Sequence, residues 1–192
     1  MRTRSLSNTL YSADWHLNHP GQAARRGFHN VVEHDQLLFR NYVTHVRPGD
    51  LVIFPGDMIW KDAELMLPMI ADLPGRKILV TGNHDEVHGM HAHAAANFTA
   101  WAEVFDGIFQ LLEKKIDGRR VLVSHFPYAG DHSPQDRHVQ HRPRDLGKWI
   151  IHGHLHCPEK VTGPRQIHVG VDAWDMRPVA EGEIVGLMRA NA

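Results

Sequence analysis

The sequence carries one cysteine, Cys157, in 192 residues. That excludes an internal disulfide and any metal site built from several thiolates. No stretch approaches the roughly 20 apolar residues that a membrane-spanning helix needs, so no membrane partner is expected. No charge dominates either: 21 Lys and Arg stand against 22 Asp and Glu. A protein that tracks long nucleic acid or an anionic surface carries a basic field, and this one has none. The opening residues, MRTRSLSNTLYSAD, include basic side chains but lack the apolar centre of a secretion signal. The expectation is a cytoplasmic protein. A hydrophobic content of 42% suits one cored domain over residues 1–192.

Histidine is in excess, at 17 residues. Imidazole is a frequent metal ligand and titrates near neutral pH. About half of these histidines read as polar loop residues, among them His88, His91 and His93 in a Gly- and Ala-rich stretch. The others fall where strands end. Thr9 to Ala13 reads as a strand followed by Asp14-Trp15-His16. LVIF, Leu51 to Phe54, reads as a buried strand that Pro55-Gly56 ends, with Asp57 next. Alone, Asp57 reads better as a helix cap than as a ligand. KILVT, Lys77 to Thr81, leads to Gly82-Asn83-His84-Asp85. The strand Arg119 to Ser124 leads to His125, and KWIIH, Lys148 to His152, leads to Gly153-His154-Leu155-His156. Helical spacing marks Asn30 to Val46, Lys61 to Leu73 and Phe98 to Phe105. Gly107 to Ile116 reads as one strand, joined to the next by the hairpin turn Asp117-Gly118. Gln166 to Val171 and Glu183 to Met188 read as the last strands. The repeated strand–helix rhythm brings the polar turns to one edge of a largely parallel portion of sheet.

The donors gathered there are Asp14, His16, Asp57, Asn83, His84, His125, His154 and His156. They offer oxygen and nitrogen and no sulfur, which fits manganese, iron, zinc, cobalt or nickel. They are too many for one ion, and two ions about 3.5–4 Å apart would take them all. Residues 129–147 form a polar insertion with almost no apolar side chains, either a lid that touches substrate or a solvated excursion. Of Trp15, Trp60 and Trp174, two are expected in the core and one beside the site.

Asp-x-His, Gly-Asp, Gly-Asn-His-Asp, a lone His after a strand and Gly-His-x-His occur in that order between Asp14 and His156. Together they resemble the calcineurin-like metallophosphoesterase superfamily, and the ending VGVDAWDMRPV resembles its small bacterial and phage-encoded members. The resemblance implies an α/β fold, a four-layer α-β-β-α sandwich of two mixed sheets flanked by helices, with the site at the strands' carboxyl ends. It implies two divalent metal ions, Mn²⁺ foremost, with Fe, Zn, Ni or Co as alternatives. Asp14, His16, Asp57 and His156 would hold one, and Asp57, Asn83, His125 and His154 the other. His84 would act as general acid, with Asp85 orienting or charging it. The implied reaction is hydrolysis of a phosphomonoester or phosphodiester by in-line attack of a metal-bridging hydroxide on a small phosphorylated substrate. His19, Arg137 and Arg142 are candidate substrate contacts, and Arg26 and Arg177 are further candidates to grip phosphate. The alternatives are a non-catalytic scaffold of the same fold and a nuclease acting on short oligonucleotides. Oligomeric state stays open.

Overall fold

In a computed structural model, which describes residues 8–192, the chain is α/β, with two five-stranded mixed sheets and five helices among the described residues. The reading of the opening residues as lacking a secretion signal lies largely outside the described residues. No described helix is long and apolar enough to cross a membrane.

The first sheet takes β1 (Thr9–Tyr11), β2 (Leu51–Phe54), β3 (Arg76–Val80) and β4 (Gly107–Phe109) in parallel, with β10 (Val179–Ala180) antiparallel beside β1. The second takes β5 (Leu112–Ile116), β6 (Arg119–Val123), β7 (Trp149–His152), β8 (Val161–Gly163) and β9 (Gln166–His168) in the order β5-β6-β7-β9-β8. Its centre, β6-β7-β9, is parallel and its two edges are antiparallel.

Side chains alternate across each strand, and that period of two divides the core. Leu10, Val52, Phe54 and Leu79 join the cluster built with α2 (Val31–His45) and α3 (Ala63–Ala71). Their neighbours Tyr11, Ile53 and Val80 join Val121, Val123, Ile151 and Ile167 of the second sheet. Trp15 and Trp174 are buried, as expected of two of the three tryptophans. Trp15 meets Phe39, Tyr42 and Phe54 edge-on at 5.6–5.9 Å. The Asn30 side chain accepts the Glu33 N–H and caps α2, which buries His34, Leu38 and Tyr42 at four-residue spacing.

Three expectations need correction, and one helix is additional. Gly107 to Ile116 is two strands: the chain leaves the first sheet after Phe109 and enters the second at Leu112. Glu183 to Met188 is not a strand but lies in α5 (Glu181–Ala190), which opens on two acidic residues and buries Ile184 and Met188 four apart. The third expected helix begins earlier, as α4 (Ala94–Ala102). A short helix, α1 (Pro20–Arg25), occupies the loop after Asp14-Trp15-His16. The hairpin at Asp117-Gly118 stands as expected, with φ of 49° and 76°, the positive pair that such a two-residue turn requires.

Candidate metal centre

The carboxyl ends of β1, β2 and β3 meet those of β6, β7 and β9 at one edge, where backbone bonds stitch the two sheets together. Ala13 N donates to Val169 O at 3.0 Å, and Val171 N donates to Ala13 O at 3.1 Å. His154 N donates to both oxygens of Asp14 at 3.0 Å. Asp14 (φ 60°), His16 (49°), Asp57 (56°), His154 (74°) and His156 (49°) all have left-handed backbone. Non-glycine residues seldom adopt it, and where they cluster the surrounding structure holds them there. The Asp-x-His and His-x-His turns therefore share one device. In each, two left-handed residues flank one whose φ is not positive. Gly82 packs against Asp57 and His125 without room to spare: a Cβ on it would lie 2.2 Å from Asp57 Oδ1 and 2.8 Å from His125 Nδ1.

All seven expected metal ligands converge. His16 Nε2 and His156 Nε2 are 3.1 Å apart, with Asp14 in the same group. Asp57 Oδ2 lies 3.7 Å from His16 Nε2 and 3.4 Å from His125 Nε2, so it stands between the two sets. His125 Nε2 is 3.1 Å from both Asn83 Oδ1 and His154 Nδ1. These buried His and Asp groups could hold a metal ion.

The chemistry of the donors fits a cation. The His125 Nδ1–H donates to Pro55 O at 2.9 Å, since a carbonyl only accepts. Burial holds the ring down to about 4, against the pull of Asp14, so it is neutral near pH 7. Its Nε2 then presents a lone pair to Asn83 Oδ1, 3.1 Å away. Acceptor faces acceptor, which is repulsive without a positive charge between them. Burial also lowers His154 to about 2 and His16 well below the usual range, the latter helped by His156. Neutral imidazole is the form that binds metal. Burial, then the charges of Asp85 and Asp14, push Asp57 well above the carboxylate range. Burial alone would raise Asp14 too, but His168, His156 and His125 hold it well below.

His84 differs from the seven. Its side chain is 30% exposed and Nε2 is 3.9 Å from Asp57 Oδ2. It also falls in a possible ligand group with His16 and Asp57, so position alone allows either role. Burial, then the neighbouring histidines, lower it to about 3. Trp60 is the one tryptophan of the three expected beside the site. It lies 4.6 Å from His84, ring to ring, and stacks at 4.1 Å on His19.

Asp85 does not meet the expectation that it would orient His84. Its oxygens accept N–H bonds from Gly82 (2.7 Å), Asp57 (2.9 Å) and Met58 (2.9 Å), tying the β2 turn to the β3 turn. Nor are the two expected arginines free. Arg137 bonds Asp131 at 3.0 Å, and Arg142 bonds Asp136 and the Arg137 carbonyl. Both fasten residues 129–147 to themselves. Arg177 is paired with Glu183 at 2.8 Å.

Several site residues were not singled out from the sequence. Asp172 Oδ2 is 3.3 Å from His156 Nδ1 and is gripped by Arg26 at 2.7 and 2.8 Å. Asp131 Oδ2 is 3.3 Å from His154 Nε2. His91 Nε2–H donates to the Asn83 carbonyl at 2.9 Å. His168 Nε2 is 3.6 Å from Asp14 Oδ2. His88, expected on a polar loop, is buried against Phe126 and His141. Partners of this kind fix the tautomer and direction of a ligand. The one available signal was that Asp172 follows β9 at the same edge.

Fold and site together define an α/β protein with a buried histidine–carboxylate centre at its strand ends. The chain belongs to the family of the mycobacteriophage gene 66 proteins. It is 38% identical to the Gene 66 protein of Mycobacterium phage L5, over 95% of both chains. It is 36% identical to that of Mycobacterium phage D29, over 92% of this chain and 94% of the other. A more distant relative is the uncharacterized protein MJ1445 of Methanocaldococcus jannaschii, 27% identical over 96% and 93%. No family model matches. The crystal structure of AQ665, a protein of unknown function from Aquifex aeolicus, superposes with a TM-score of 0.72 over 94% of this chain and 99% of that one. At 24% identity the likeness is one of fold.

Proposed function

We propose that the protein is a dinuclear metal-dependent phosphoesterase that hydrolyses a small phosphomonoester or phosphodiester. The observation that carries this reading is the neutral His125 lone pair aimed at Asn83 Oδ1, beside a second set, Asp14, His16 and His156. Asp14, His16, Asp57 and His156 would hold one ion and Asp57, Asn83, His125 and His154 the other, with Mn²⁺ foremost among N/O-binding metals. When bound, such ions supply Lewis acidity and an activated water.

The residues do the rest. Asp57 lies between both sets and fixes their spacing. Only two carboxylates belong to the eight donors, so two divalent ions leave a positive cavity that selects phosphate over neutral esters. His84 stands at the more exposed side of the site and is neutral near pH 7. An arriving phosphate would raise its pKa. It then carries a proton to the leaving oxygen, worth about 10²–10⁴ in rate. Trp60 and His19 wall that side. Asp85 keeps the two turns in register rather than touching the imidazole.

The test is to strip metal from the full chain, add Mn²⁺, and assay an aryl phosphodiester and an aryl phosphomonoester. Turnover restored by the metal supports the reading. Two bound ions without turnover on any phosphoester would favour the scaffold.

A further inference from the structure

The sequence places two adjacent arginines, Arg25 and Arg26, just after the first metal-binding turn, and the structure gives them opposite tasks. All five Arg26 N–H groups are used. Nε and Nη2 hold Asp172, Nη2 also bonds Asp14 O, and Nη1 bonds Trp15 O and His34 Nε2, at 2.7–3.2 Å. Arg26 is a strut and has nothing left for a ligand. Arg25, at the end of α1, is exposed, and no ion pair among the described residues involves it. It lines a cleft of about 190 Å³ that opens directly on His156. That is below the roughly 300–1,000 Å³ of a whole small-molecule site, so the cleft holds part of a substrate.

The other walls add no competing charge. Asp172 is neutralised by Arg26. His132 donates from Nδ1 to His154 O and accepts at Nε2 from Arg137, so the ring is neutral and fully engaged. Asp131, behind it, is paired with Arg137. Arg25 is left as the unspent positive group, and its guanidinium fork matches a phosphate or carboxylate. His156 lines the cleft and His84 and Trp60 do not; His84 groups instead with His16 and Asp57, and Trp60 packs on His84 at 4.6 Å.

We infer that this cleft is a subsite for a second anionic group, a phosphate or carboxylate on the non-leaving part of the substrate, gripped by Arg25. The inference rests on the phosphoesterase reading and narrows it to doubly anionic substrates.

The experiment uses the full chain loaded with Mn²⁺ and two p-nitrophenyl phosphodiesters of one nucleoside, with and without a second phosphate on the sugar. The expected result is a KM at least tenfold lower for the doubly phosphorylated ester, with similar kcat. In Arg25→Gln that ratio should fall to within twofold, and Arg25→Lys should keep part of it. Inorganic phosphate, added as competitor, separates a substrate-borne group from a free anion: if it abolishes the preference only in wild type, the cleft binds phosphate from either source. A wild-type ratio near one overturns the subsite. So does an equal loss on both esters in Arg25→Gln, which would place Arg25 on the scissile phosphate. Should wild type hydrolyse neither ester, the phosphoesterase reading fails by itself. Calorimetric binding of the doubly phosphorylated nucleotide to wild type and Arg25→Gln then decides the subsite: equal affinities overturn it, and a tenfold loss upholds it.

Discussion

His16 Nε2 and His156 Nε2 stand 3.1 Å apart although 140 residues separate them in the chain. His16 is neutral, and its Nδ1 is buried with no partner. A neutral ring in that position cannot satisfy both nitrogens, and an unpaired buried polar atom costs about 1–3 kcal/mol. Two nitrogens bound to one ion at about 2.1 Å and at right angles would lie about 3 Å apart. The pair therefore has the spacing of two ligands on one ion.

Replacing His84 separates its two possible roles. His84→Ala should leave metal content at the wild-type value and lower turnover about 10²–10⁴-fold. The loss should be largest for esters with poor leaving groups. Metal analysis beside kinetics on a leaving-group series checks this. Metal loss would make His84 a ligand.

Asp85 should behave in the opposite way. Asp85→Asn weakens three charge-assisted bonds from Gly82, Asp57 and Met58, each worth about 1.5–3 kcal/mol. The variant should lose stability and metal affinity together, with no change in leaving-group dependence among the ions that remain bound. Denaturant unfolding and metal titration read both.

Asp172 gives a dependence on pH. Burial alone would raise its carboxyl, but the hydrogen bonds and charges of Arg26 and His156 hold it well below the carboxylate range. A depressed folded pKa contributes stability above the unfolded value of about 3.9, and that contribution is lost as pH falls below it. Asp172→Asn should cost about 3–5 kcal/mol near neutral pH by leaving Arg26 unpaired. The gap from wild type should shrink from pH 5 downward. Metal affinity should fall about 10–100-fold, because the carboxylate orients His156. Unfolding curves of the metal-free proteins across that pH range test the first part.

Gly82→Ala tests the packing of the turns. Its Cβ would lie 2.2 Å from Asp57 Oδ1 and 2.7 Å from Asp57 N. Overpacking of this kind costs about 1–3 kcal/mol, and here the displaced atoms belong to the shared carboxylate. Metal affinity should drop more than stability does.

Much of this centre was readable in advance, because each of its five loops follows a strand whose apolar run is short and sharply ended. Leu51 to Phe54 closing on Pro55-Gly56 is the clearest case. The convergence of the loops agrees with that reading, whereas the division into two mixed sheets agrees with what the resemblance implied and not with the largely parallel sheet that the strand rhythm suggested. The partners of the ligands were not readable. Asp172 meets His156 across 16 residues and Asp131 meets His154 across 23, and nothing local distinguishes them from solvated loop carboxylates. Asp85 misled because a carboxylate next to a histidine looks like its partner, whereas its geometry serves the backbone. The α5 segment misled because Ile184-Val185-Gly186-Leu187-Met188 is too short and too apolar for its period to show, and the acidic first turn at Glu181 and Glu183 was the better signal.

The most direct measurement is anomalous diffraction at the manganese edge from crystals of wild type and Asp57→Ala, both grown with Mn²⁺. Wild type should give two peaks on either side of Asp57, one within bonding distance of His16 and His156 and one of His125 and His154, and Asp57→Ala should give neither at full occupancy. An empty site in wild type, or a peak that survives intact without Asp57, would contradict the shared-carboxylate centre.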